Sequence, residues 1–306
     1  MFFKSTSLHY LRHLKYRNFT EEKFVSMKQA ALVTILFLVL MTLAYFFRKQ
    51  SSQSSDISTD NQDIFTQTSD IQNYKFYYSK IQDFYPVITQ NNHQIVSYSG
   101  FDLSYNEDNE QADWVIYLHT LEKTNGNVSR KDNFREDKNI LTKSALPSDY
   151  TNSGFDRGHL APAADMKWSE TAMDESFLMS NISPQKPAFN RGIWKKLEEK
   201  VRSWAIENDS IIVVTGPVFK DISGKIGQDQ VSIPGYFFKV ILDVSLPDIK
   251  AIAFLLRNEG SSRDIKEFAI TVDSLERFTS YDFFFKTDRD FMEKVERELN
   301  LAAWGL

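Results

Sequence analysis

The chain has 306 residues, 42% of them hydrophobic and 14% aromatic, enough for one sizeable core and an appendage. It contains no cysteine, which excludes disulfides, thiolate metal sites and a cysteine nucleophile. Its net charge of −5 excludes polyanion binding by the whole-protein field, so any such affinity must come from a local basic patch.

In chain order, the first feature is a basic leader. Residues 1–29 carry six Lys/Arg against Glu21 and Glu22. Residues 30–47 (AALVTILFLVLMTLAYFF) follow without a charge. As a helix they would span roughly 27 Å, close to a ~30 Å hydrocarbon core, and they lack the polar face of a globular helix. Beyond Arg48 and Lys49 no positive residue occurs until Lys75. This asymmetry predicts a single-pass membrane helix with a cytoplasmic N-terminus and a periplasmic or otherwise extracytoplasmic C-terminal domain. A cleaved signal peptide, or a mitochondrial presequence followed by a span, are the competing readings. The leader is long for a signal peptide, and Arg48-Lys49 is unusual just after a cleavage site. Residues 48–73 are polar and read as a flexible linker, leaving 74–306 as the folded domain.

Within that domain, residues 113–120 alternate as a half-buried strand. Residues 211–215 form a β-branched run ended by Gly216-Pro217, a strand and turn. Residues 236–244 and 251–256 are two further strands, joined by a short turn suited to an antiparallel pair. Asn190 is a good N-cap for a helix whose apolar positions Ile193, Trp194, Leu197, Val201 and Trp204 recur at helical spacing. Further helices are expected over 262–270 and 288–299. Strands and helices mix without a βαβ beat, so the fold class is α+β.

The chemistry concentrates in residues 152–199. Asp156-Arg157-Gly158-His159 is followed by Asn181-Ile182-Ser183-Pro184-Gln185. Then comes Asn190-Arg191-Gly192-Ile193-Trp194-Lys195-Lys196-Leu197-Glu198-Glu199. One imidazole, one guanidinium, carboxamides and a carboxylate are the parts needed to cut a phosphodiester with one hard metal ion. His159 is the natural base, since the unperturbed pKa of an imidazole lies near neutrality. His9, His13, His93 (in a polar loop) and His119 (on a strand) read as structural or merely exposed. Arg157 offers a fork of donors to phosphate. By regular helix geometry Glu198 lies about 80° round and roughly 12 Å along from Asn190, with Trp194 between them. Glu199 points elsewhere. Asp156 reads as support for the loop presenting Arg157 and His159, and Asp165 is passed over as a metal ligand. Lys195, Lys196, Lys200 and Arg202 fit a nucleic-acid groove or a solvated helix face equally well.

These three ordered blocks resemble the DNA/RNA non-specific endonuclease family, which includes the endonuclease G group; more loosely, the likeness runs from about Leu103 to Phe285. The resemblance implies a central antiparallel sheet carrying a ββα-metal (His-Me finger) active site. It implies Arg157 on the scissile phosphate, a further catalytic arginine at Arg130 (with Arg135 as substitute), and Asn190 as the metal ligand. Asn181 and Glu198 would lie around the metal's waters. The implied cofactor is Mg²⁺, with Mn²⁺ as an alternative, and the implied partners are DNA and RNA as substrates. The oligomeric state is left open, a homodimer among the options. Two other readings are a metal-dependent phosphodiesterase on small substrates and a decayed nucleic-acid-binding domain. Every motif position is filled, which speaks against decay.

Overall fold

The computed structural model describes residues 80–88, 93–245, 248–287 and 289–306. The leader, the uncharged stretch and the polar linker lie outside the described residues. No helix among the described residues is long and apolar enough to cross a membrane.

Seven antiparallel strands form the central sheet: β1 (His93–Ser97), β2 (Asp102–Asn106), β3 (Gln111–Thr120), β6 (Ser210–Val218), β9 (Tyr236–Asp243), β10 (Lys250–Arg257) and β11 (Ala269–Ile270). They lie side by side in that order. Between β3 and β6 the chain makes a separate two-stranded hairpin, β4 (Asp156–His159) with β5 (Ile182–Gln185), and then helix α1 (Lys195–Glu207). A second small pair, β7 (Lys225–Ile226) with β8 (Val231–Ser232), follows. Helices α2 (Val272–Thr279) and α3 (Arg289–Arg297) come near the C-terminus.

Both faces of the sheet are covered, and alternation along each strand divides its residues between two cores. Val115 and Tyr117 of β3, Val213 of β6 and Phe237 and Ile241 of β9 share one core with Leu197, Val201 and Trp204 of α1. Trp114, Ile116, Val214, Phe238 and Val240 share the other with Leu275 of α2 and Met292 of α3. Residues 113–117 are therefore all buried, where the pattern suggested a half-buried strand. Residues 236–244 and 251–256 do pair antiparallel.

Three sequence expectations need correction. His93 opens β1 instead of sitting in a loop. The strand at 211–215 runs on through Gly216 and Pro217 to Val218. Pairing with β3 has ended at Thr215 by then, so the missing Pro N–H breaks nothing on that side. Gly216 is required there, because a Cβ would fall 2.2 Å from the Asp113 carbonyl oxygen. The stretch 262–270 is a 3₁₀ turn, Ile265–Phe268, followed by the two residues of β11, and the helix begins only at Val272. The helix expected over 288–299 is α3.

Candidate active site

The hairpin β4–β5 and the segment running into α1 bring the three sequence blocks together as a ββα unit. On β4, Arg157 and His159 are two residues apart and share one face, while Asp156 and Gly158 point to the other. Gly158 sits against Gln185: a Cβ at 158 would lie 2.2 Å from the Gln185 side-chain Cδ. A side chain larger than hydrogen would therefore displace the Gln185 side chain.

His159 is buried between two aromatic rings. Its ring centroid lies 5.4 Å from Phe134 and 5.0 Å from Phe177, edge-on to the latter. Burial, and then the nearby charge of Arg130, hold its pKa down to about 3. At neutral pH the imidazole is thus uncharged. Its Nε2 is buried without a hydrogen-bond partner.

Both arginines implied by the family resemblance stack on the same two rings. The Arg157 guanidinium carbon is 5.4 Å from the Phe134 centroid, and that of Arg130 is 5.0 Å from Phe177. Arg157 Nη2 donates to the Pro147 carbonyl at 2.8 Å, while its Nε is buried and unpartnered. Arg130 pairs with Asp132 at 2.6 Å and keeps half its side chain exposed. Arg135, the substitute candidate, is committed elsewhere. It binds the Asp174 carboxylate at 2.5 Å and the Asp174 carbonyl at 2.9 Å, and its backbone bridges Leu178. Phe134 and Phe177 were missed as site residues. Phe134 lies between the two candidate arginines, Arg130 and Arg135, and could have been found there; nothing in the sequence marks Phe177.

Asn190 does not cap the helix. It lies inside a wide π-helical turn, Phe189–Trp194, which joins α1 through Gly192 in a non-helical conformation (φ −106°, ψ −111°). Such turns occur often at functional sites. The regular 100° count from Asn190 to Glu198 consequently does not apply. Asn190 Nδ2 donates to Asp156 Oδ2 at 2.9 Å, and Arg191 grips the same carboxylate at 2.8 and 2.6 Å. Asp156 thus ties β4 to the turn, beyond the loop support expected of it. The Arg191 side chain and hydrogen bonds hold the Asp156 carboxyl below its ordinary value, against the effect of burial.

Asn181 is fully buried and its amide is spent on backbone. Oδ1 accepts from Ala161 N at 2.9 Å, and Nδ2 donates to the Ala161 and Ser176 carbonyls at 3.0 and 2.9 Å. This corrects the expectation that it faces metal-bound water. It pins the chain just after His159, where Leu160 N also donates to the Asn181 carbonyl at 3.0 Å.

Glu198 lies half-buried in a charged layer between α1 and the sheet. Burial pushes its pKa up to about 7, opposed chiefly by the Lys239 ammonium. Lys239, on β9, is completely buried, donates to Thr215 Oγ1 at 2.6 Å and lies 4.8 Å over the Trp194 ring. Asp165 completes the layer, accepting from Tyr117 at 2.8 Å and pairing with Arg202 at 2.8 Å. Arg202 is therefore not free for a nucleic-acid groove. Lys195 is paired with Glu199 at 3.8 Å and Lys200 sits over Trp204, which leaves Lys196 as an exposed member of that run.

The donor set suits a hard divalent cation that keeps most of its waters: a carboxamide oxygen on the wide turn, with carboxylates nearby. Orphaned polar atoms at Arg157 and His159, on one face of the hairpin, are what a site for a polar ligand would present. A carboxylate cluster lies outside this unit, at Asp273, Glu276 and Glu296 of α2 and α3. Burial pushes Glu276 up to about 7 and Glu296 up to about 8, as expected of acids crowded together.

Residues 82–290 match the profile of the DNA/RNA non-specific endonucleases. The chain belongs to that family. Human mitochondrial endonuclease G is 35% identical over 199 residues, covering 60% of this chain and 67% of that protein. A nuclease of Nostoc sp. is 30% identical over 225 residues, covering 70% and 81%. Among solved structures, endonuclease G in complex with its inhibitor EndoGI superposes with a TM-score of 0.62 at 28% identity, over 73% of this chain and 93% of that one. The α+β fold with a central antiparallel sheet is shared with that structure, and the chain is a nuclease of the hydrolase class.

Proposed function

We propose that this nuclease is a membrane-tethered, Mg²⁺-dependent endonuclease that cuts DNA and RNA with little sequence preference, leaving 5′-phosphate and 3′-hydroxyl ends. One observation carries the proposal. An uncharged imidazole, His159, is boxed by the rings on which Arg157 and Arg130 stack, on the same strand whose Asp156 is tied to Asn190.

His159 takes a proton from the attacking water, a role its neutral state makes available at physiological pH. Arg157 and Arg130 hold the scissile phosphate and offset charge gathering on its oxygens. Asn190 Oδ1 would hold the cation, and Glu198 would accept hydrogen bonds from the cation's waters. Bound there, Mg²⁺ (or Mn²⁺) supplies charge neutralisation to the phosphoryl group and the departing oxygen. All of these groups address the sugar-phosphate backbone, which supports cutting without base readout.

The uncharged stretch 30–47 and the Lys/Arg asymmetry around it support a single-pass anchor with the nuclease domain extracytoplasmic. Protease added to intact spheroplasts should release a folded fragment beginning within residues 48–73; a protected domain would reverse the orientation. For the activity, supercoiled plasmid, single-stranded RNA and a chromogenic phosphodiester are compared with and without Mg²⁺. Cutting of both nucleic acids well above turnover of the small ester supports the proposal. Preference for the small ester would make the chain a phosphodiesterase instead.

A further inference from the structure

Asp156 and Asn190 stand on different elements, β4 and the wide turn, yet their side chains meet at 2.9 Å. An ionised carboxylate only accepts, so it selects the nitrogen edge of the carboxamide facing it. The amide is planar, and its oxygen is thereby turned to the opposite edge. None of the hydrogen bonds among the described residues ends on Asn190 Oδ1. A flipped amide would offer NH₂ there, and Mg²⁺ takes oxygen ligands.

Arg191 completes the device. Its Nε and Nη2 bind the two oxygens of Asp156 at 2.8 and 2.6 Å. With the Asn190 bond, three of the roughly four lone-pair positions of that carboxylate are used. Asp156 is therefore a poor direct ligand and a firm anchor.

We propose that Asp156, gripped by Arg191, is a positioning residue that fixes the amide orientation of Asn190 so that Oδ1 rather than Nδ2 faces the divalent cation. The inference rests on Asn190 being the cation's ligand. It also predicts that the selection is lost when the carboxylate is replaced. In Asp156→Asn the Oδ2 position, which Asn190 Nδ2 and Arg191 Nε share, is taken by either the oxygen or the NH₂ of the new amide, so it no longer selects the nitrogen edge of Asn190. A carboxylate at 190 would escape this, because either of its oxygens can ligate.

The test is Mn²⁺ affinity of the full-length protein in detergent, read from the electron paramagnetic resonance signal of free Mn²⁺, with thermal melting alongside. Asn190→Ala should lose Mn²⁺ binding. Asp156→Asn should weaken it about 10–100-fold, the range found when a group orienting a ligand is lost. The swap Asp156→Asn/Asn190→Asp should return affinity to within about threefold of wild type, an outcome that loop support alone does not produce. Wild-type affinity in Asp156→Asn, or a swap as weak as the single variant, overturns the positioning role while leaving the ligand assignment standing. Undiminished binding in Asn190→Ala overturns the ligand assignment and the inference with it. Should Asp156→Asn fail to fold, the swap decides alone: near-wild-type affinity supports the device, and a loss beyond tenfold overturns it.

Discussion

On one side of the ββα unit His159 sits between Phe134 and Phe177, with Arg157 and Arg130 over the same rings. On the other side Asn190, Asp156 and Arg191 hold one another by hydrogen bonds near the surface. The first wall is aromatic and dry, and its effect is on protonation: it denies the imidazole a charge. The second is polar and partly wet, and its effect is on direction: it decides which atom of an amide faces outward. A phosphodiesterase site needs both kinds of control. Here β4 contributes to both, His159 and Arg157 from one face and Asp156 from the other, so side-chain substitutions can disturb each separately.

The largest expected effect falls on the dry wall. His159→Ala should lower the cutting rate by about 10²–10⁴, the usual worth of a general base, with circular dichroism unchanged. A variant cutting at wild-type rate would remove His159 from the reaction. Next comes the wet wall. Asn190→Ala should abolish detectable cutting even at high Mg²⁺. Glu198→Gln should cost about 10–100-fold and be partly rescued by excess Mg²⁺, because Glu198 would reach the ion only through water. Equal rescue of both variants would erase the distinction between direct and indirect ligands.

The two arginines sharpen the comparison further. Arg130→Ala should slow cutting while leaving the melting temperature close to wild type, since its one ion pair, to Asp132, is exposed. Arg135→Ala should do the reverse, because it removes a partly buried tie to the Asp174 side chain and backbone. The smallest effect is a pH dependence. Burial lowers the His159 pKa, so its neutral, active form persists as pH falls to about 3. Phe177→Leu would admit water and let that pKa rise toward the ordinary 6.5. The wild type should then stay flat between pH 8 and 5 as far as His159 is concerned. The variant should lose activity progressively as pH drops through about 6. An identical profile for the two proteins would mean that the rings do not govern the imidazole.

The ββα unit was legible because its blocks are short and local: strand pairing brings Asp156–His159 and Ile182–Gln185 together, and the helix follows within a few residues. What was not legible depended on partners far away in sequence. Phe177 joins the site only because the chain folds back on the 130–135 loop. The wide turn at Asn190 has the composition of an ordinary helix start, so the residue read as a cap. At 262–270 a true capping box is present, Asp264 with Glu267, but it closes a single 3₁₀ turn before β11 joins the sheet. A cap signals that a turn begins and says nothing about how long it runs. The layer of Asp165, Arg202, Glu198 and Lys239 was not foreseen, since only the sheet beneath α1 reveals that they face one another.

The central claim is that a neutral imidazole and one oxygen-bound divalent cation together cut the backbone. It is tested most directly by nicking of supercoiled plasmid in EDTA, then with Mg²⁺ restored, with the new ends probed by phosphatase and polynucleotide kinase. The account predicts no nicking in EDTA, full recovery with Mg²⁺, and ends that accept label only after phosphatase treatment, as 5′-phosphates do. Undiminished nicking in EDTA, or 5′-hydroxyl ends that label directly, would contradict it.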